Sequence, residues 1–354
     1  MQLTLMPDND FKDLLRANTA AIKVARVLCI FMLAYVHVHL FANETFQNTA
    51  YFITTKTVLV ELFGRSSVPL LSVISGFLMV GYFRRYSWRV AAYKRFIVLI
   101  IPLVAWNFVG IGFTTLTGHA VNSSALNAIL GLTDNAFYEH LTFLRDIFIV
   151  SVFSPIIIYF VRQLHLFFLL AIIVYTYYFD LAPIIIRDQI LLYFTAGVYI
   201  GVYSIHQILK SKEFGYIISA CIIFLFYAQI SLPYYPEHLG FIRSSLFDDL
   251  IRRPLCAILF WFVALKICQN QYFKISFTRY IEPSIYLMFL SHAFFIYIYG
   301  AIYSRFIELH NAPIYFMVWL VIPVACLISA ILMHRALRLF PDIVSIAVSG
   351  KGTN

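Results

Sequence analysis

Residues 26–39 read RVLCIFMLAYVHVH, an apolar succession from Val27 to Val36 closed by a guanidinium on one side and two imidazoles, His37 and His39, on the other. The apolar run as a whole extends over residues 22–42. About 20 such residues are enough for a helix to cross about 30 Å of hydrocarbon, so this stretch predicts a membrane span. Ionisable rings are costly there and must face protein or water, which makes them functional candidates. On a helix rising about 1.5 Å per residue, Arg26 and His37 stand about 16 Å apart. Their separation is close to three turns of about 3.6 residues, so both project from nearly the same face and one ligand can touch both. A molecule with a phosphorylated head and a long thin arm suits that geometry. In the alternative reading Arg26 snorkels to inner-leaflet headgroups and His37 only hydrogen-bonds another helix. His39, two residues on, faces elsewhere and reads as structural or interfacial.

The rest of the chain continues the pattern. Of 354 residues, 62% are hydrophobic and 12% charged, against about 25% charged in an ordinary soluble domain. The apolar runs are too long for the strands of a membrane barrel, which need only about 10 alternating residues. The expected fold is therefore all-α: a polytopic membrane helix bundle of about ten transmembrane helices over residues 22–42, 66–83, 96–116, 143–161, 164–180, 189–207, 214–232, 254–268, 283–304 and 314–334. Residues 51–63 interleave apolar side chains with Thr and Lys56 and predict an interfacial or re-entrant helix. One domain is expected over residues 1–354, with a cytoplasmic N-terminal segment (1–21), the bundle (22–334) and a cytoplasmic tail (335–354). No internal repeat is evident, which weighs against the common transporter folds.

Orientation follows from cationic residues, which cytoplasmic loops retain. With both termini inside, only eight of the 26 Lys and Arg fall outside: Lys56, Arg65, Arg145, Arg187, Arg243, Arg252, Arg253 and Arg305. Topology and anionic lipids therefore account for the net charge of +9, and no nucleic-acid partner is expected. No small-residue cleavage pattern closes the first run, so no removable signal peptide is expected. The cysteines (Cys29, Cys221, Cys256, Cys268, Cys326) lie in or at the ends of spans without ligand spacing; they read as packing residues, and no metal is expected.

Other polar groups sit where function would put them, each with a packing explanation beside it. The start of the second span, RSSVPLLSVISGFLMV (65–80), carries Arg65, Ser75 and a proline that frees a carbonyl. Small hydroxyls permit close helix approach, or they line a polar cleft. Arg84, Arg85, Arg89, Lys94 and Arg95 form a cluster before the third span that serves inner-leaflet retention and phosphate binding alike. Arg145 and Asp146 are adjacent in the fourth span, and neighbouring helical residues do not face each other, so each is expected to pair with a group on another span. Tyr286 and His292 lie mid-way along the ninth.

The stretches RVLCIFMLAYVHVH (26–39), SSVPLLSVISGFLMV (66–80) and YKRFIVLIIPLVAW (93–106), followed by FLRDIFIVSVFSP (143–155), LLYFTAGVYIGVY (191–203) and SIYLMFLSHAFF (284–295), resemble in order the motifs of acyltransferase family three. The members of that family are ten-span membrane enzymes that acylate cell-surface glycans. The family's spacing of a basic residue, ten intervening residues and a histidine falls on Arg26 and His37. The resemblance implies that His37 is catalytic and that acyl-coenzyme A arrives from the cytoplasm. The family's paired arginines before the third span are only partly kept: Lys94 and Arg95 are present, but Val98 stands where another arginine is expected. Some members carry an appended hydrolase-like domain; this chain ends at Asn354 without one and is expected to act alone or with a partner.

The expected activity is O-acetyl transfer from acetyl-coenzyme A to a hydroxyl of a surface polysaccharide or its lipid-linked sugar precursor, in a bacterial inner membrane. Arg26 with Arg84, Arg85, Lys94 and Arg95 would hold the donor, and His37 would act as general base or accept the acyl group. Arg65, Ser75, Arg145, Asp146, Tyr286 and His292 would support the site or the acceptor. A glycan or lipid exporter lined by His37, His292 and Arg145 is the alternative, since polar intramembrane residues also mark transport paths. A non-enzymatic scaffold is the third reading.

Overall fold

The computed structural model describes residues 8–38, 50–117, 124–132, 136–179, 181–203, 216, 219, 248–306 and 312–350. Among the described residues every regular element is helical. In chain order these are α1 (Asp8–Val36), α2 (Ala50–Lys56) running on as a π-helical segment (Thr57–Gly64), and α3 (Ser67–Phe83). Next come α4 (Trp88–Arg95) with a π-helical continuation (Phe96–Ile100), α5 (Ile101–Leu116) and α6 (Ala125–Leu130). They are followed by α7 (Thr142–Leu164), α8 (Leu166–Tyr178), α9 (Gln189–Val202) and α10 (Arg253–Gln269). The last four are α11 (Gln271–Ile275), which runs on as a π-helical segment (Ser276–Ile281) into α12 (Glu282–Phe306), then α13 (Ala312–Leu337) and α14 (Asp342–Ser349).

Among the described residues, six stretches are long and apolar enough to cross a membrane: Asn18–Val36, Phe52–Phe83, Trp88–Leu116, Glu139–Leu164, Gln271–Tyr303 and Pro313–Leu337. The described residues thus form an all-helical structure consistent with a membrane helix bundle. The helices Leu166–Tyr178 and Gln189–Val202 are apolar but shorter, and the span expected over 214–232 lies almost wholly outside the described residues.

Three boundaries depart from the sequence expectation. The first helix starts at Asp8 and ends at Val36 rather than covering 22–42. Its amphipathic N-terminal turns contain neither Gly nor Pro, and they bury Phe11 and Leu14, so nothing stops the helix before the apolar run. It closes by tightening: the His37 and Val38 amides bond back to the Ala34 and Tyr35 carbonyls at 3.1 and 3.4 Å, the three-residue step of a 3₁₀ turn. Residues 51–63 are not an isolated interfacial helix but run almost without a break into α3, interrupted only at Arg65 and Ser66. The tail expected after residue 335 holds α14, which packs on α5 through a Trp106 indole donating to the Val348 carbonyl at 2.9 Å.

The helices fall into two compact units whose segments interleave along the chain. The first comprises Met1–Asn18, Leu71–Gln207 and Arg335–Asn354. In it α3 and α9 meet backbone to backbone: a Cβ on Gly76 would run into the Phe194 carbonyl, and one on Gly197 into the Val73 carbonyl. Such small-residue crossings are how membrane helices approach when lipid offers no hydrophobic drive between them. Arg145 and Asp146, both buried, pair with each other at 3.2 Å, contrary to expectation. Near the helix start the long guanidinium arm bends back over its neighbour and donates to the carbonyls of Pro183 and Ile184. The Asp146 carboxylate accepts from the Ile186 and Arg187 amides at 3.3 and 3.1 Å. The pair therefore pins the turn before α9 rather than joining side chains of two spans.

The second unit comprises Thr19–Leu70 and Ile208–His334. Here α1 lies against α13: the Tyr35 hydroxyl donates to the Leu320 carbonyl at 3.0 Å, and its ring meets Trp319 at 5.3 Å. Phe52 from α2 packs edge-on to the same Trp319 at 5.5 Å. Gly64 lets the π-helical segment close on the end of α1, because a Cβ there would sit 2.5 Å from Val36 Cγ2 and 3.0 Å from the Met32 carbonyl. Helix-to-helix hydrogen bonds in lipid contribute only about 0.6 to 2 kcal/mol each, so this unit is held chiefly by close packing.

Candidate functional site

The candidate site lies in the second unit, between α1 and α12. Lys23, Arg26 and His37 share one side of α1: 23 and 26 are three residues apart, and 26 and 37 nearly three turns apart. On α12, Glu282, Tyr286, Phe289 and His292 recur at four, three and three residues, one stripe of the helix. A π-helical segment (Ser276–Ile281) leads directly into α12, and Glu282 and Pro283 lie where it gives way to regular α-helix.

The two stripes meet at both ends. Lys23 Nζ lies 3.7 Å and Arg26 Nη1 3.6 Å from the Glu282 carboxylate. Eleven residues along α1 and ten along α12, the His37 and His292 rings lie 5.2 Å apart between centroids, inclined by 54°. Two contacts in the same order along both chains mean that α1 and α12 run parallel, and rises of about 16 and 15 Å keep them in register. Between the ends, Tyr286 stacks on Phe289 at 6.4 Å, and Phe289 lies 6.2 Å from His292.

The polar ends differ in access. Side-chain exposure is 40% for Lys23 and 27% for Arg26, so both cations reach solvent past their carboxylate partner. His37 is half-buried, whereas His292 is buried at 1% exposure. His292 Nδ1 lies 3.2 and 2.9 Å from the Met288 and Phe289 carbonyls. Carbonyl oxygens only accept, so Nδ1 carries the proton, and in the neutral ring Nε2 keeps the lone pair. The His292 carbonyl in turn accepts from the Cys326 thiol at 3.9 Å, tying this turn of α12 to α13.

The structure therefore brings Arg26, His37, Tyr286 and His292 together and leaves other expected residues elsewhere. Arg65, in the same unit, pairs with Glu61 at 2.9 Å, a carboxylate that also faces Arg252 at 3.9 Å. The Ser75 hydroxyl bonds back to the Leu71 carbonyl at 2.8 Å, and Ser66 and Ser67 do likewise to Leu62 and Phe63. Those serines satisfy their own helix, as packing residues do.

Ser75, Arg84, Arg85, Lys94, Arg95, Arg145 and Asp146 belong to the first unit. There Arg84 stacks over Phe11 at 4.6 Å, Lys94 over Tyr86 at 3.7 Å and Arg95 over Tyr82 at 4.9 Å. His39 lies outside the described residues. Glu282 and Lys23 were not singled out in the sequence; the available signal was a carboxylate directly before a proline at the start of an apolar run, which marks a helix N-terminus and says nothing of its partner.

A family model described as an acyltransferase domain matches residues 19–334. No curated protein and no solved structure matches the chain. The matched stretch begins four residues before Lys23 and contains every residue of the α1–α12 site.

Proposed function

Because the chain belongs to acyltransferase family three and is a membrane acyltransferase, we propose that the α1–α12 site transfers an acyl group, expected to be acetyl, from coenzyme A to a sugar hydroxyl of a surface glycan or its lipid-linked precursor. The observation that carries this reading is the placement of two imidazoles, His37 and His292, at one end of a stripe whose other end is cationic.

Arg26 and Lys23 hold the phosphates of the donor, and the arm runs along the Tyr286 and Phe289 stripe towards His37. His37 takes the proton from the acceptor hydroxyl as its oxygen attacks the thioester carbonyl carbon. The tetrahedral adduct then collapses, the carbon–sulfur bond breaks, and the departing thiolate takes back the proton held on His37. Atoms and charge balance without a redox partner or metal. The neighbouring ring favours this general-base role over transient acylation of His37, since an imidazole beside a second one, itself fixed by Met288 and Phe289, has a place to share the proton it takes. His292 is thus a positioning residue for His37. Arg84, Arg85, Lys94 and Arg95 retain two readings from their charge, inner-leaflet lipid or donor phosphate.

An exporter of glycan or lipid would also carry polar residues in its helices, but an acyltransferase domain over residues 19–334 favours transfer. The test is His37→Ala in cells: surface-glycan acylation should fall by about 10² to 10⁴, the usual contribution of a general base, while the amount of protein in the membrane stays unchanged. Acylation at the wild-type level would remove His37 from the mechanism.

A further inference from the structure

Glu282 is the one carboxylate that the described structure places against the cationic end of the site, and it lies within 4 Å of both cations there. Neither pair is a tight bidentate contact: the distances are 3.7 and 3.6 Å, and the two cations share a single carboxylate. Partly exposed pairs of this kind are weak. Two cations against one anion leave a net charge of +1 at the stripe's end, whereas a diphosphate brings several charge-matched oxygens.

We propose that Glu282 is a built-in substitute for the donor's phosphate: it holds Lys23 and Arg26 in place while the site is empty and is displaced when the diphosphate head of the acyl donor arrives. Lys23 is then a second donor-binding residue beside Arg26. The inference rests on the reading of Arg26 as a donor contact. It adds that the carboxylate competes with the ligand, and therefore sets how tightly the donor is held and how readily spent coenzyme A leaves. The register explains why the substitute is on α12: the helix that brings His292 beside His37 also brings Glu282 to the cations.

The experiment is equilibrium binding of labelled coenzyme A to the purified full-length protein in lipid nanodiscs, with inorganic pyrophosphate as a competitor. Glu282→Gln keeps the shape and removes the charge. It should tighten coenzyme A and pyrophosphate by about five- to tenfold, the worth of two weak pairs, and lower the KM for acetyl-coenzyme A. Unchanged or weaker binding by Glu282→Gln would overturn the proposal and make the carboxylate a structural tie between α1 and α12. Lys23→Ala leaves one cation against one anion and should weaken pyrophosphate about tenfold. If Glu282→Gln does not accumulate in the membrane, that variant decides, and unchanged affinity in it would equally overturn the proposal. Failure of the underlying reading looks different: Arg26→Ala would then bind coenzyme A like the wild type.

Discussion

Arg26 faces Glu282 yet keeps 27% of its side chain exposed, so a charged ligand can reach it. Replacing it should weaken the donor more than it slows the chemistry, because it stands about three turns from His37, the ring proposed to take the proton. The expected outcome for Arg26→Ala is a KM for acetyl-coenzyme A raised by about tenfold or more, the cost of about 1.4 kcal/mol, with kcat changed much less. Steady-state kinetics on membranes carrying equal amounts of protein check this, and a fall in kcat at constant KM would put Arg26 in the chemical step instead. This relation between Arg26 and His37 was legible in the sequence because both lie on one helical stretch, where spacing alone fixes the face. Glu282 and the His37–His292 pairing were not, because their partners sit on a helix far along the chain and no periodicity links the two.

Elements were legible to the extent that apolar length determined them. The ends of α7 and α13 fall within a few residues of the expected spans, whereas α10 and α12 end near theirs but begin as continuations of π-helical segments (Asp248–Arg252 and Ser276–Ile281). Length alone failed where polar helix continues apolar helix, as in α1 and α2, and where a short amphipathic segment packs without spanning, as in α14. It also failed for Arg145 and Asp146, since the rule that adjacent helical residues diverge applies to short side chains better than to an arginine that bends back. The clearest element-scale prediction concerns the α3–α9 crossing. A methyl group at Gly76 or Gly197 would strike backbone carbonyls, which cannot swing aside as a side chain can. Gly76→Ala and Gly197→Ala should each destabilise the protein by about 1 to 3 kcal/mol, and the double variant should fall short of the sum because both act on one crossing. Thermal unfolding in a fixed detergent measures this; two fully additive, or neutral, changes would mean that the helices part freely there.

For the whole molecule, the parallel course of α1 and α12 constrains topology. Two parallel spanning helices require an odd number of crossings between the end of the first and the start of the second. The expected arrangement supplies seven, over residues 66–83 through 254–268, and has both helices enter from the cytoplasmic side, with Lys23, Arg26 and Glu282 at that end. Under the proposed function a soluble, cytoplasmic donor would meet the cations there, with the ring pair about half a membrane away. The most direct measurement is therefore transfer by the isolated chain: purified protein in sealed liposomes, acetyl-coenzyme A labelled in the acetyl group, and glycan acceptor. Label should appear in the glycan with the wild-type chain and at least about a hundredfold less with His37→Ala. Equal label from the two proteins would contradict the proposed function.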